Sequence, residues 1–118
     1  MIYFYDEATR KSDGERAVYM RFEIVHNDVW KSRNNYEEIV DFIDRWAKQD
    51  SLYKYMRSET TNLYMVRDYS CNNFEILKLW DYIIIDRDWK IFVRDESAFK
   101  ISYDKFVPDK IDFVFFNW

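Results

Sequence analysis

Apolar residues fall in short clusters separated by charged ones along the whole chain, and the spacing inside each cluster decides which element it can form. Between Asn35 and Lys48 the sequence NYEEIVDFIDRWAK places Tyr36, Ile39, Val40, Ile43, Trp46 and Ala47 at intervals of three and four. At about 3.6 residues per turn these positions line up on one face of a helix, and Phe42 widens the stripe. Asn35 followed three residues later by Glu38 reads as a capping box, the amide accepting from the Glu38 N–H while the carboxylate reaches back. Glu37, Asp41 and Asp44 fall on the polar side, and Arg45 and Lys48 lie near the end, the order that the helix dipole favours. One main amphipathic helix is therefore predicted over 35–48.

Elsewhere the period is closer to two. IYFYD at 2–6 and AVYMRFEIV at 17–25 read as strands joined through Asp13-Gly14, because glycine tolerates the positive φ of a tight hairpin. Val18, Met20, Phe22 and Ile24 share one face of the second strand and Tyr19, Arg21, Glu23 and Val25 the other, which predicts one buried and one wet side. The polar run His26–Asn34 reads as the loop into the helix. After it, QDSLYKYMRSETTN reads as a short second helix with Leu52, Tyr53 and Met56 inward, though its alternation also permits a strand, and LYMVRDY at 63–69 reads as a strand. NNFEILKLWDY at 72–82 fits a helix, with a second Asn-x-x-Glu start at Asn72 and Glu75, and fits a strand equally. YIIID and WKIFVR flank Asp86-Arg87-Asp88 as a hairpin expected at the centre of the sheet. Residues 97–107 fit both elements until Pro108 stops either, and IDFVFFNW reads as a closing strand. The pattern predicts a single α+β domain: a mainly antiparallel sheet of about five or six strands with the main helix packed on it and one or two short helices.

Composition sharpens this picture. The chain has 118 residues, 48% of them hydrophobic, with ten Phe, ten Tyr and five Trp against one Gly and one Pro, so burial can offset the ordering entropy throughout. Eighteen basic and 22 acidic residues are interspersed and give a net charge of −4. Without clustered Lys and Arg, direct nucleic-acid or anionic-membrane binding is not expected, and a partner with a basic surface is favoured. Apolar runs such as Tyr82–Ile85 are far shorter than the ~20 residues that span a bilayer. The opening MIYFYDEATRK does not have the form of a secretion signal, and Cys71 has no partner for an internal disulfide. A cytoplasmic protein is expected, or one of the host cytoplasm if phage-encoded.

The same counts narrow the chemistry. One His and one Cys do not furnish a zinc site, and Gly14 alone writes neither a phosphate loop nor a dinucleotide fingerprint, so no metal or cofactor is implied. A nucleophilic site would have to use His26, with Asp28 nearby. Paired carboxylates for hydrolysis are offered by Asp86 with Asp88 and by Asp95 with Glu96, although turn and loop chemistry explains both pairs. Cys71 is expected to be a small buried hydrophobe.

The aromatic surplus is the informative excess, since Tyr and Trp give interfaces large area at low entropic cost. Trp30, Tyr53, Tyr55, Tyr69 and Trp118 lie outside the clear core stripes. Together with the acid row Glu37, Asp41 and Asp44 they suggest a non-enzymatic inhibitor that occludes a basic surface of a partner protein such as a nuclease. Phage anti-defence proteins and toxin-immunity proteins fill that niche. The partner-binding candidates are Trp30, Glu37, Asp41, Asp44, Tyr53, Tyr55 and Trp118. A small-molecule or nucleotide-binding module with an aromatic-lined pocket is the alternative, followed by a small hydrolase. Tyr19, Arg21, Lys54 and Tyr55 could also interleave as a stacking surface for single-stranded nucleic acid, and a homodimer is open.

Overall fold

The hairpin expected at Asp13-Gly14 opens the fold. In the computed structural model, which describes residues 5–28, 31–48, 54–58, 60 and 63–105, β1 (Asp6–Arg10) pairs antiparallel with β2 (Arg16–Arg21), and Gly14 turns the chain with φ +74°. The chain continues through β3 (Ile24–Asp28), β4 (Lys31–Asn34), α1 (Tyr36–Trp46), β5 (Tyr55–Arg57), β6 (Tyr64–Asp68) and β7 (Asn73–Ile76). It closes with β8 (Tyr82–Ile85), β9 (Ile91–Arg94), α2 (Glu96–Ser102) and β10 (Tyr103–Lys105). The strands form an antiparallel five-stranded sheet in the order β10-β1-β2-β8-β9, a β3-β4 ribbon and a three-stranded sheet β5-β6-β7. This is the α+β class with the five-stranded sheet expected. Residues 2–4, 49–53 and 106–118, which carry parts of the expected first strand and second helix and the whole closing strand, lie outside the described residues.

Both faces of the large sheet are buried, which corrects the expectation of one wet face. Met20, Phe22, Ile83, Ile85 and Ile91 meet Ile39, Phe42 and Ile43 of α1 in one core. On the reverse, Tyr19, Tyr82 and Ile84 pack with Ala8, Ala17, Phe99 and Tyr103, and the Tyr82 and Phe99 rings stack at 4.1 Å. β8 is apolar at every position because it lies inside the sheet with both sides covered. Its hairpin with β9 forms as expected, but β9 takes an edge of this sheet rather than the centre.

That edge is closed by the three-stranded sheet. The Tyr69 N–H donates to the Ile91 carbonyl at 2.8 Å, and the Val93 N–H donates to Asp68 Oδ2 at 2.8 Å. Asp68, only 2% exposed, also accepts from Arg94 at 2.7 Å and from the Ser70 N–H and hydroxyl. Burial alone would raise its pKa, yet these donors outweigh burial and hold the carboxyl below its ordinary value.

Other elements depart from expectation for local reasons. The polar stretch 26–34 is not a loop: β3 and β4 pair from Ile24 opposite Asn34 to Asp28 opposite Lys31, with a register shift after His26. The stretch carries no apolar alternation, so its spacing does not announce this ribbon. The expected helix after α1 is β5 where it is described, and 72–82 resolves as β7 followed by a turn, with no helix starting at Asn72. In 97–107 both patterns are realised in succession, helix in α2 and then strand in β10. Asp95 and Glu96 are not a solvated loop pair, because Asp95 caps α2 by accepting from the Ala98 N–H at 2.8 Å and Glu96 pairs with Lys100 at 3.1 Å.

Candidate functional site

α1 separates cleanly into two faces. Tyr36, Ile39, Phe42, Ile43 and the following Ala47 are buried, with Val40 and Trp46 packed at the margin, as the spacing predicts. The start of the helix is built differently from the expected capping box. Asn35 is buried and its amide serves the chain leaving β2: Oδ1 accepts from the Glu23 N–H and Nδ2 donates to the Arg21 carbonyl, both at 2.8 Å. Its side chain is thus unavailable to the first turn, where Asn34 Oδ1 accepts from the Tyr36 N–H instead. Glu38 turns to Arg33, which grips both of its carboxylate oxygens and lowers its pKa.

Glu37, Asp41 and Asp44 follow at intervals of four and three along the outward side. Glu37 and Asp44 are exposed and Asp41 is half-buried. Among the described residues no cation lies within salt-bridge distance of any of the three. The Tyr55 hydroxyl sits 3.0 Å from each Asp44 oxygen, and burial followed by this carboxylate raises the pKa of the phenol. Between α1 and the β5-β6 strands runs a groove of about 670 Å³ with Tyr36, Val40 and Tyr64 in its lining, Glu37 and Asp41 on the helix side and Arg57 on the strand side. The Tyr36 hydroxyl, 3.1 Å from the Met56 carbonyl and 3.3 Å from that of Met65, fixes the width of this groove, and burial pushes its pKa up to about 12. Chemically the face offers carboxylates that are in no ion pair among the described residues, beside aromatic surface, with Arg33 and Arg57 lining the same groove.

The structure brings Glu37, Asp41, Asp44 and Tyr55 together and leaves Trp30, Tyr53 and Trp118 outside the described residues. His26 lies on β3, and its side chain is not among those described. Asp86 and Asp88 lie on the turn between β8 and β9. Asp86 Oδ1 accepts from the Asp88 and Lys90 N–H groups at 2.9 and 3.0 Å, which spends it on the β8-β9 turn. Cys71 is exposed rather than buried, and desolvation and then the Glu75 carboxylate, 3.3 Å from Sγ, push the thiol pKa up, away from thiolate reactivity. The stacking surface does not assemble: Tyr19 is in the core, Arg21 pairs with Glu23 and lies over Trp80, and Lys54 donates to the Ala47 carbonyl.

The sequence reading missed Leu79 and Trp80, 43% and 48% exposed on the turn between β7 and β8. Trp80 holds φ +78° while its N–H donates to the Phe22 carbonyl at 2.7 Å. A left-handed conformation at a bulky residue has no signature in sequence spacing. A second cleft has Tyr5, Arg21, Tyr82 and Lys105 in its lining. Among the described residues no group of three or more His, Cys, Asp or Glu side chains is placed to hold a metal ion, and no helix is long and apolar enough to cross a membrane. No protein-family model matches the chain, and comparison with curated proteins and with solved structures finds no significant match.

Proposed function

We propose that the protein is a non-enzymatic binding protein that occludes a basic surface of another protein through the outward face of α1. Inhibitors of bacterial defence nucleases and toxin-immunity proteins act in this way. The observation that carries the reading is the row Glu37, Asp41, Asp44, three carboxylates in no ion pair among the described residues, although Glu38 one position away is paired. Charges left out of ion pairs at regular spacing raise the association rate for an oppositely charged surface and select against acidic ones. Tyr55 and the aromatic groove beside the row supply the apolar area that charge alone does not.

The test is a paired capture experiment. Wild-type protein and the Glu37→Lys/Asp41→Lys/Asp44→Lys variant are immobilised and exposed to the same bacterial lysate and to purified basic nucleases, at low and at physiological salt. The wild type retains one or more basic proteins and the folded variant does not. Retention of nothing at either salt, or of the same set by both, overturns the proposal.

A further inference from the structure

Among the described residues, no strand pairs with the outer side of β7 in the three-stranded sheet. The Leu77 N–H donates to the Tyr64 carbonyl at 2.8 Å, and in this register Glu75 opposite Val66 and Asn73 opposite Asp68 are likewise the hydrogen-bonded pairs of the β6-β7 ladder. The backbone groups of Phe74 and Ile76 therefore point away from β6, on the outer side of a sheet ordered β5-β6-β7. The Phe74 N–H is taken by the Asn73 side chain at 2.9 Å, whereas the N–H and carbonyl of Ile76 have no partner among the described residues.

Side chains at this edge alternate in character. Met56, Met65 and Ile76 stand opposite one another across the three strands on the side away from buried Val66, and Met56 and Ile76 are 41% and 45% exposed. Phe74 lies in the next row on the same side, with the Arg67 guanidinium 4.5 Å from its ring centre. Glu75 falls on the alternate side, exposed, accepting from the Cys71 thiol and with no salt-bridge cation among the described residues.

We propose that the β7 edge is a docking site for an extended segment of another protein in which apolar and basic residues alternate. The segment adds a strand beside β7, exchanging hydrogen bonds with the N–H and carbonyl of Ile76 and donating to the Phe74 carbonyl. Its apolar side chains continue the Met56-Met65-Ile76 row, and its Lys or Arg faces Glu75. A second copy of this chain fits worse, because the two-fold antiparallel register that pairs the whole of β7 sets Glu75 against Glu75. The edge is a separate surface from the acidic face of α1, and the proposal stands or falls independently of it.

The test is an amide-resolved NMR titration of the full chain with two synthetic peptides, one alternating valine with lysine and one alternating valine with glutamate. The lysine peptide shifts the amides of Phe74, Glu75 and Ile76. The glutamate peptide binds about fivefold more weakly, the ratio set by about 1 kcal/mol of cross-strand charge preference. Ile76→Pro removes an N–H that the β6 ladder does not use, so it abolishes binding while the fold is kept. Glu75→Lys, which leaves the backbone alone, inverts the order of the two peptides. Unmoved β7 amides, equal binding to Ile76→Pro, or an unchanged order with Glu75→Lys would overturn the proposal.

Discussion

Removing the Asp68 carboxylate perturbs the joint between the two larger sheets more directly than any other single change. The side chain is 2% exposed and accepts from the Val93 N–H, the Arg94 guanidinium and two groups of Ser70. Asp68→Ala leaves the Val93 donor and the Arg94 charge without their acceptor. Breaking a buried pair costs roughly 3–5 kcal/mol, and because Arg94 is 31% exposed the lower end, about 3 kcal/mol, applies. At roughly 4 °C per kcal/mol for a chain of this size, the thermal midpoint falls by about 12 °C. The pH dependence gives a second readout. The folded-state pKa of Asp68 is depressed, so its contribution is fully present above the unfolded carboxylate value and is lost as pH falls through the folded one. The difference between wild type and Asp68→Ala, followed by thermal or denaturant unfolding, is therefore large near neutrality and shrinks in acid. A loss below about 1 kcal/mol at neutral pH, or a difference that is flat with pH, refutes the role assigned to this carboxylate.

Three further outcomes follow from the same reasoning. Ile43→Asp places an unpaired charge at a position with no exposure in the α1 core and lowers stability by about 4 kcal/mol or more in a denaturant titration; an unchanged midpoint contradicts the packing of α1. Asn35→Ala strands the Glu23 N–H and the Arg21 carbonyl and costs about 2 kcal/mol, with amide exchange accelerated at Glu23; exchange accelerated in the first turn of α1 alone would restore the capping role. Asp81 has its pKa raised by burial, against the N–H of Lys78, so its charge opposes folding near neutrality and the penalty is relieved as pH falls. Asp81→Asn keeps an acceptor for Lys78 and is neutral or stabilising at neutral pH by urea unfolding, and a clear destabilisation there contradicts the assignment.

The elements legible in the sequence are those whose side chains see one environment per face. α1 shows its period because Ile39, Phe42 and Ile43 meet one core, and the β8-β9 hairpin because Ile83 to Ile85 are covered on both sides. The β3-β4 ribbon was misread because its polar stretch carries no apolar alternation, and β5 because its segment fits helix and strand alike. Asn35 misled for a different reason: a cap position and a buried bridge between neighbouring segments ask for the same short amide, and only the tertiary fold decides which it serves. Of the candidate site, the acid row and Tyr55 were visible as residues, but that Glu38 rather than Glu37 forms the ion pair depends on where Arg33 comes to lie. The β7 edge was hidden because NFEI fits helix and strand alike until its pairing with β6 is known.

The salt dependence of binding to a captured partner tests the central claim most directly. Affinity measured over a series of ionic strengths for wild type, Glu37→Gln, Asp41→Asn and Asp44→Asn should weaken as salt rises, with a shallower dependence for each neutralised variant and unchanged thermal midpoints. An affinity indifferent to salt, and identical in all four proteins, would contradict the assignment of the α1 face as the binding surface.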